Sequence, residues 1–264
     1  MPRLITYLTI AATFAVASIF LERNSTEFAL ASAVAIGFLI PVVDACIRHW
    51  DLLSFAGMSL RTWNKSVRVS VSYLYRIKVQ DRYLLIKSRR FNHFQPVGGV
   101  FKYFPAGEAV LMNELGALND DLYPIDNEGI GDLRLTIKGR HLAKFFDWFN
   151  RRRGRETDVW REFHEELIAS GFLPAEPFKF VRADFVGTRR TRLRWSDFAQ
   201  RKEIILAEIY QLVPTPAQEA VLEKMIGVRH ECLHWATASE ISRRGAGTSE
   251  GVITPISEHS SWIL

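Results

Sequence analysis

Six consecutive residues, Arg161-Glu162-Phe163-His164-Glu165-Glu166, carry the densest chemistry in the chain. Thr157 and Asp158 stand before them as capping residues, Trp160, Phe163 and Leu167 recur at helical spacing, and Gly171 and Pro174 follow, so the six read as part of one helix. On it Glu162 and Glu166 lie one turn apart with Glu165 adjacent, and such carboxylates repel by roughly 0.2–0.5 kcal/mol per pair. A magnesium ion, which prefers oxygen ligands, would offset that repulsion. Arg161, four residues before Glu165, would do so too. By itself the hexapeptide equally fits a solvated acidic helix face.

A second group of residues lies upstream, in Arg89-Arg90-Phe91-Asn92-His93-Phe94-Gln95-Pro96-Val97-Gly98-Gly99-Val100. Gly98 and Gly99 permit close backbone approach, and Arg89, Arg90 and Phe94 beside them suit a nucleotide, although a plain surface role fits them nearly as well. A third group is Arg189-Arg190-Thr191-Arg192-Leu193-Arg194-Trp195, in which alternating arginines such as Arg192 and Arg194 would meet phosphates while Trp195 stacks on a base. The same pattern fits a sheet edge protected by charge. His93, His164 and His234 have no serine or cysteine partner pattern, which leaves nucleophilic catalysis without support. Cys46 and Cys232 lack metal-ligand spacing and suit a reducing compartment. A net charge of +5 favours an anionic partner.

The elements that must position these groups follow from hydrophobic period. Val67, Val69, Val71, Tyr73, Tyr75, Ile77 and Val79 alternate with mostly polar residues, and Gln80-Asp81 turns the chain into Tyr83-Leu84-Leu85-Ile86, predicting a hairpin. From Gly139 the spacing becomes helical through Leu142, Phe145, Phe146 and Phe149, and Gly154 ends it. Residues 178–186 and 204–213 read as strands and residues 217–226 as a helix. The sum is an α/β or α+β domain with a mixed sheet flanked by helices.

The first fifty residues differ in kind. Residues 4–21 contain no charge and span about 27 Å as a helix, close to a hydrocarbon core of about 30 Å. After a polar turn, a second apolar helix over residues 28–47 is long enough to return. The expected organisation is a transmembrane hairpin over 1–48, a linker over 49–66 with an amphipathic tendency, and one domain over 67–264. Ala15-Val16-Ala17 has the small-any-small pattern of a signal-peptide cleavage site, but the apolar run continues past it. Arg3 precedes the hairpin, and Arg48, Arg61, Lys65 and Arg68 follow it, whereas its turn has one Arg against two Glu, which puts both termini in the cytoplasm. Ala29, Ala33 and Gly37, like Ala11 and Ala15, form smooth stripes. These either join the two helices of one hairpin or serve oligomerisation.

The Pro-any-Gly-Gly loop after two strands, with the Arg-Glu-apolar-any-Glu-Glu helix downstream, resembles a Nudix domain. The resemblance covers residues 67–264, including Trp235-Ala236-Thr237-Ala238-Ser239-Glu240-Ile241 and Ile256-Ser257-Glu258-His259-Ser260 near the end. It implies Glu162, Glu165 and Glu166 as magnesium ligands, Arg161 as their internal ion-pair partner and, in a hydrolase, Glu166 as the catalytic group. The family's loop and helix are usually joined by a short connection that includes a glutamate. Here roughly sixty residues are inserted between Gly99 and Arg161, no Glu holds the expected place, and the Gly after the paired glutamates is displaced to Gly171. Joined to a membrane hairpin, such a domain is similar to the two-transmembrane Nudix effectors of bacterial CBASS antiphage systems. That narrower resemblance implies a homo-oligomer in the inner membrane that senses a cyclic nucleotide made by a CD-NTase, with the lipid bilayer as its target. The alternative it implies is a membrane-anchored hydrolase of nucleoside diphosphate derivatives. No complex with nucleic acid is expected.

Overall fold

The structure, a computed structural model, describes residues 2–48, 50–120, 130–246 and 254–264. The chain divides into two compact units, Met1–Arg61 and Thr62–Leu264.

In the first unit, α1 (Pro2–Ile19) and α2 (Thr26–Arg48) pack against each other and α3 (Trp50–Arg61) follows, within the stretch expected to be an amphipathic linker. The seam between α1 and α2 is lined by Ala11, Ala31 and Val42, all buried, and Tyr7 meets Phe38 at 5.8 Å between ring centroids. Outside it Ile5, Leu30, Ile36, Ile40 and Ile47 are exposed, an arrangement that water disfavours and lipid accepts. The hydroxyls of Thr9 and Thr13 donate to Ile5 O and Thr9 O, leaving no polar demand on the surroundings. Among the described residues one helix, Thr26–Arg48, is long and apolar enough to cross a membrane; the apolar stretch of α1 is shorter, Ile5–Ile19.

The stripe of small residues on α2 does not join the hairpin. Ala29, Ala33 and Gly37 are exposed, and a Cβ added to Gly37 would meet nothing within 4 Å. A four-residue spacing defines a face but not which way that face turns, and here the seam uses the face carrying Ala31.

The second unit is built on β1 (Ser66–Arg76), whose two faces do different work. Strand β2 (Lys78–Val79) turns back into β3 (Arg82–Lys87), followed by β4 (Phe94–Pro96) and β5 (Gly98–Val100). After α4 (Pro105–Glu108) come β6 (Leu118–Asn119), β7 (Arg134–Lys138), α5 (Leu142–Asn150) and α6 (Trp160–Phe163). Then β8 (Arg182–Arg190), β9 (Arg194–Ser196), β10 (Arg201–Val213), α7 (Pro216–Met225), β11 (Leu233–Thr237) and α8 (Ala238–Ser242) complete the set. One mixed sheet runs β6-β7-β1-β10-β8, with β5 on β1 and β9 on β10, and a second runs β11-β3-β2 with β4 on β3. Strands β1 and β10 are parallel and the other pairs antiparallel.

The expected hairpin is therefore only its own tip. Lys78 and Val79 pair with β3, while β1 belongs to the other sheet. Unbroken alternation conceals a change of sheet, because either sheet satisfies the same period. The strand expected over 178–186 is displaced to Arg182–Arg190.

Val67, Val69, Val71, Tyr73 and Tyr75 point into an aromatic core and are almost fully buried. There Tyr73 meets Phe101 at 4.8 Å, Phe101 meets Phe149 at 5.6 Å and Tyr75 meets Phe163 at 5.3 Å. The opposite face carries Arg68, Ser70, Ser72 and Leu74. At one end it is covered by the second sheet, through a core of Leu85, Ala207, Ile209, Ala236, Ile256 and Ile263. At the other end it stays open as a groove. Arg68, counted among the membrane-flanking cations, is an interior residue of this domain: it pairs with Asp120 at 2.6 Å and with Glu203, all three buried.

Candidate functional site

Two tyrosines of β1 moor the acidic helix. Tyr75 Oη donates to Val159 O at 2.9 Å, and Tyr73 Oη accepts from Glu162 N at 3.3 Å, so the helix start is tied to alternate residues of one strand face. The expected cap residue Asp158 accepts from Trp160 N at 2.9 Å. Helix α6 then widens into a π-turn, His164–Ile168, closed by Ala169 N donating to His164 O at 2.8 Å. Such turns insert one residue and redirect the side chains around them. Here the turn carries Glu165 and Glu166.

The two loop glycines serve different needs. Gly98 has φ +150°, and a Cβ there would lie 2.1 Å from Tyr73 O, so only glycine lets β5 pair with β1 at this point. A Cβ on Gly99 would fall 2.0 Å from the Glu162 carboxyl group. Glycine leaves the space that this carboxylate occupies. Gly98 N donates to Glu166 Oε2 at 2.9 Å, joining loop and helix directly.

Arg161 binds the cluster together. It donates to Val100 O at 2.9 Å and to Glu156 Oε1 at 3.0 Å, contacts Glu162 Oε1 at 2.5 Å and stands 3.5 Å from Glu165 Oε2. Glu156 is the residue that sequence spacing missed. Its N–H donates to Lys102 O at 2.7 Å, and its carboxylate accepts from Lys102 N as well as from Arg161. An anionic partner for Arg161 thus exists at a different offset, and only a buried Glu five residues before the Arg signals it in the sequence.

Gly98, Gly99, Arg161, Glu162, Glu165 and Glu166 line a cavity of about 410 Å³ that also holds Arg89, Arg90, Asp132 and Arg134. Burial, then repulsion from Glu162 and Glu165, pushes the Glu166 carboxyl group up to about 8 against the opposing Gly98 hydrogen bond. Burial also raises Glu162, although Arg161 opposes it. Of the expected site residues, Arg89, Arg90, Gly98, Gly99, Arg161, Glu162, Glu165 and Glu166 come together here. Phe94 does not: on β4 its ring packs toward the second sheet, 5.4 Å from that of His234, and Phe91 is the aromatic residue at the cavity.

A groove of about 690 Å³ on the open face of β1 shares Phe91, Gln95, Gly98, Gly99 and Arg134 with the acidic cavity. Arg194 lines it, and with Arg192 also lines a third cavity of about 500 Å³ beyond. These two arginines therefore serve the basic end and not the acidic one. Sequence reading also missed Trp262, Phe198 and Arg244 in the groove, because they come from segments distant in sequence.

Among the described residues no three His, Cys, Asp or Glu side chains are gathered as a ready coordination shell. The donor chemistry nevertheless fits magnesium. Glu165 and Glu166 present carboxylate oxygens to one cavity, a buried carboxylate gains from a cation, and magnesium commonly takes one or two carboxylates with water and substrate phosphates completing its shell. Glu162, tied to Arg161, is the least available of the three.

The family model for the SMODS-associated NUDIX domain matches residues 66–264. A search of curated proteins finds no match.

Proposed function

The chain belongs to the SMODS-associated NUDIX family, the Nudix family linked to CBASS defence, and on that premise we propose that it is a membrane effector triggered by a cyclic nucleotide. In this reading a hairpin over 1–48, joined through 49–66 to the Nudix domain over 67–264, spans the inner membrane twice with both termini in the cytoplasm. Ligand binding drives oligomerisation, and the gathered hairpins breach the bilayer. The observation that carries it is the continuity of the cavity at Gly98 and Gly99 with the groove, the two together being lined by Arg89, Arg90, Arg134 and Arg194 and by the rings of Phe91, Phe198 and Trp262. Bases stack on such rings and phosphates pair with such arginines.

The outward stripe Ala29, Ala33 and Gly37 supports the membrane step, because small residues let a further helix approach closely. Dye release from liposomes carrying the full chain, with and without a panel of cyclic nucleotides, tests this. Leakage should depend on ligand, and Gly37→Leu should suppress it while nucleotide affinity stays unchanged. Leakage indifferent to every nucleotide would remove the reading.

One observation favours a second function, that of an anchored hydrolase of nucleoside diphosphate derivatives. Despite the insertion, the glycine loop and the three glutamates are reunited, with Gly98 N bonded to Glu166. Magnesium held by Glu165 and Glu166 would polarise a phosphoryl group. Arg89 and Arg90 would orient the substrate phosphates and Arg161 would keep Glu162 ionised. Magnesium-dependent turnover of such a panel, abolished in Glu166→Gln, would establish it.

A further inference from the structure

The groove and the third cavity share an ion-pair bridge in their lining. Glu258 Oε2 lies 3.5 Å from Arg194 Nη2, its Oε1 lies 3.6 Å from Arg244 Nη2, and all three side chains are exposed. Each of the three lines both cavities. The arginines reach this point from separate elements. Arg194 opens β9, while Arg244 follows α8 at φ +54°, an uncommon conformation for a residue other than glycine, fixed by its N–H on Ile241 O and its carbonyl on Ile256 N.

Beside the bridge, His259 Nε2 is shielded from solvent and has no hydrogen-bond partner among the described residues. A buried polar atom left unsatisfied is unfavourable and is normally met by a bound group or water. The His259 ring packs edge-on against Trp262 at 4.5 Å, and Trp262 also faces the groove. The segment carrying Glu258 is held on both sides of it: Phe94 N donates to Pro255 O at 2.7 Å, Ser257 N donates to Phe94 O at 2.9 Å, and Ile263 is buried. Between these anchors the carboxylate of Glu258 is free to swing away without unfolding its segment.

We propose that Arg194 and Arg244 form a phosphate subsite that Glu258 masks, its carboxylate standing where a ligand phosphate would sit. The groove is lined by Gly98, Gly99 and Arg134 of the acidic cavity as well as by Arg194 and Arg244, so a ligand that reaches both sets can present a phosphate to each. That selects nucleotides with two or more phosphodiester groups over mononucleotides. The choice of nucleotide rests on the function proposed above, whereas the masked anion site rests on the bridge alone. Paired guanidinium groups prefer phosphate to a single carboxylate, since phosphate offers more acceptor oxygens and more charge.

Isothermal titration of the full chain in detergent micelles separates the two claims. Inorganic tripolyphosphate probes the anion site: Glu258→Gln should bind it about three- to tenfold tighter than the unaltered chain, the scale expected from two exposed ion pairs. The double substitution Arg194→Ala with Arg244→Ala should bind it more weakly than the unaltered chain. These residues are exposed enough that the fold survives. Cyclic di-GMP and GMP are titrated in parallel, and the bridge substitutions should alter binding of the first and not of the second. Equal tripolyphosphate affinity in all three proteins overturns the subsite. A tripolyphosphate gain with no cyclic nucleotide bound by any variant upholds the subsite and overturns the nucleotide reading.

Discussion

The acidic cavity and the groove beside it share a wall yet are assembled on different terms. Most of the acidic cavity comes from two short motifs, with Gly98 and Gly99 in the loop and Glu162, Glu165 and Glu166 on one turn, joined by Arg134 of β7 and Asp132 just before it. The groove adds to the glycine loop residues from β1, β7, β9, β10, the stretch after α8 and the C-terminal segment, with no two of its arginines adjacent in sequence. Local motifs can be read along the chain. A surface made by sheet order and a returning segment cannot, because its members are neighbours only after the strands have paired.

The difference also appears in what holds each region. Under the groove lies Arg68 with Asp120 and Glu203, three buried ions from separate strands or loops. Arg68→Ala would strand both carboxylates in the interior, and a loss of about 3–5 kcal/mol is expected in urea denaturation followed by tryptophan fluorescence. A loss near zero would mean that the groove floor tolerates water, and the contrast with the motif-built cavity would weaken.

Gly98→Ala attacks the acidic cavity at its closest backbone approach. Because the Cβ would overlap Tyr73 O and φ is unfavourable for alanine, β5 must shift from β1, with an expected cost of about 2–4 kcal/mol and loss of the Glu166 hydrogen bond. Stability should fall less than in Arg68→Ala, and magnesium affinity, measured by calorimetry, should fall with it.

Glu166 supplies a pH test. Its folded-state value near 8 lies above the ordinary carboxylate range, so the folded protein holds a proton that the unfolded chain has released. In metal-free buffer stability should therefore decline as pH rises from about 4 to about 8. Glu166→Gln removes that decline and should raise Tm at pH 8 by roughly 10 °C while leaving pH 4 nearly unchanged. A Tm equal to that of the unaltered protein at both pH values would show the carboxylate to be well solvated.

The smallest effect belongs to Glu165, about half exposed and 3.5 Å from Arg161. Glu165→Gln should change stability by under about 0.5 kcal/mol. Its magnesium affinity should still drop, and a large stability change instead would make Glu165 a structural residue.

Much of this architecture was legible in the residues themselves. Alternation from Val67 to Tyr75 located the central strand, aromatic spacing located α5, and the capping pattern of Thr157 and Asp158 located the acidic helix. The reason is that period and capping act within a few residues and write themselves locally. The first fifty residues also differ in composition from the rest of the chain, since their charged side chains are confined to Arg3, the turn at Glu22, Arg23 and Glu27, and Asp44 and Arg48. Tertiary structure alone decided that β1 and β3 part into different sheets, that Glu156 answers Arg161, that Phe94 turns away from the ligand cavity and that Ala29, Ala33 and Gly37 face outward. Each of those outcomes turns on which neighbour occupies a face rather than on which residues form it. Faces acquire neighbours only when strands pair and helices pack, and that choice is a competition among surfaces distant in sequence.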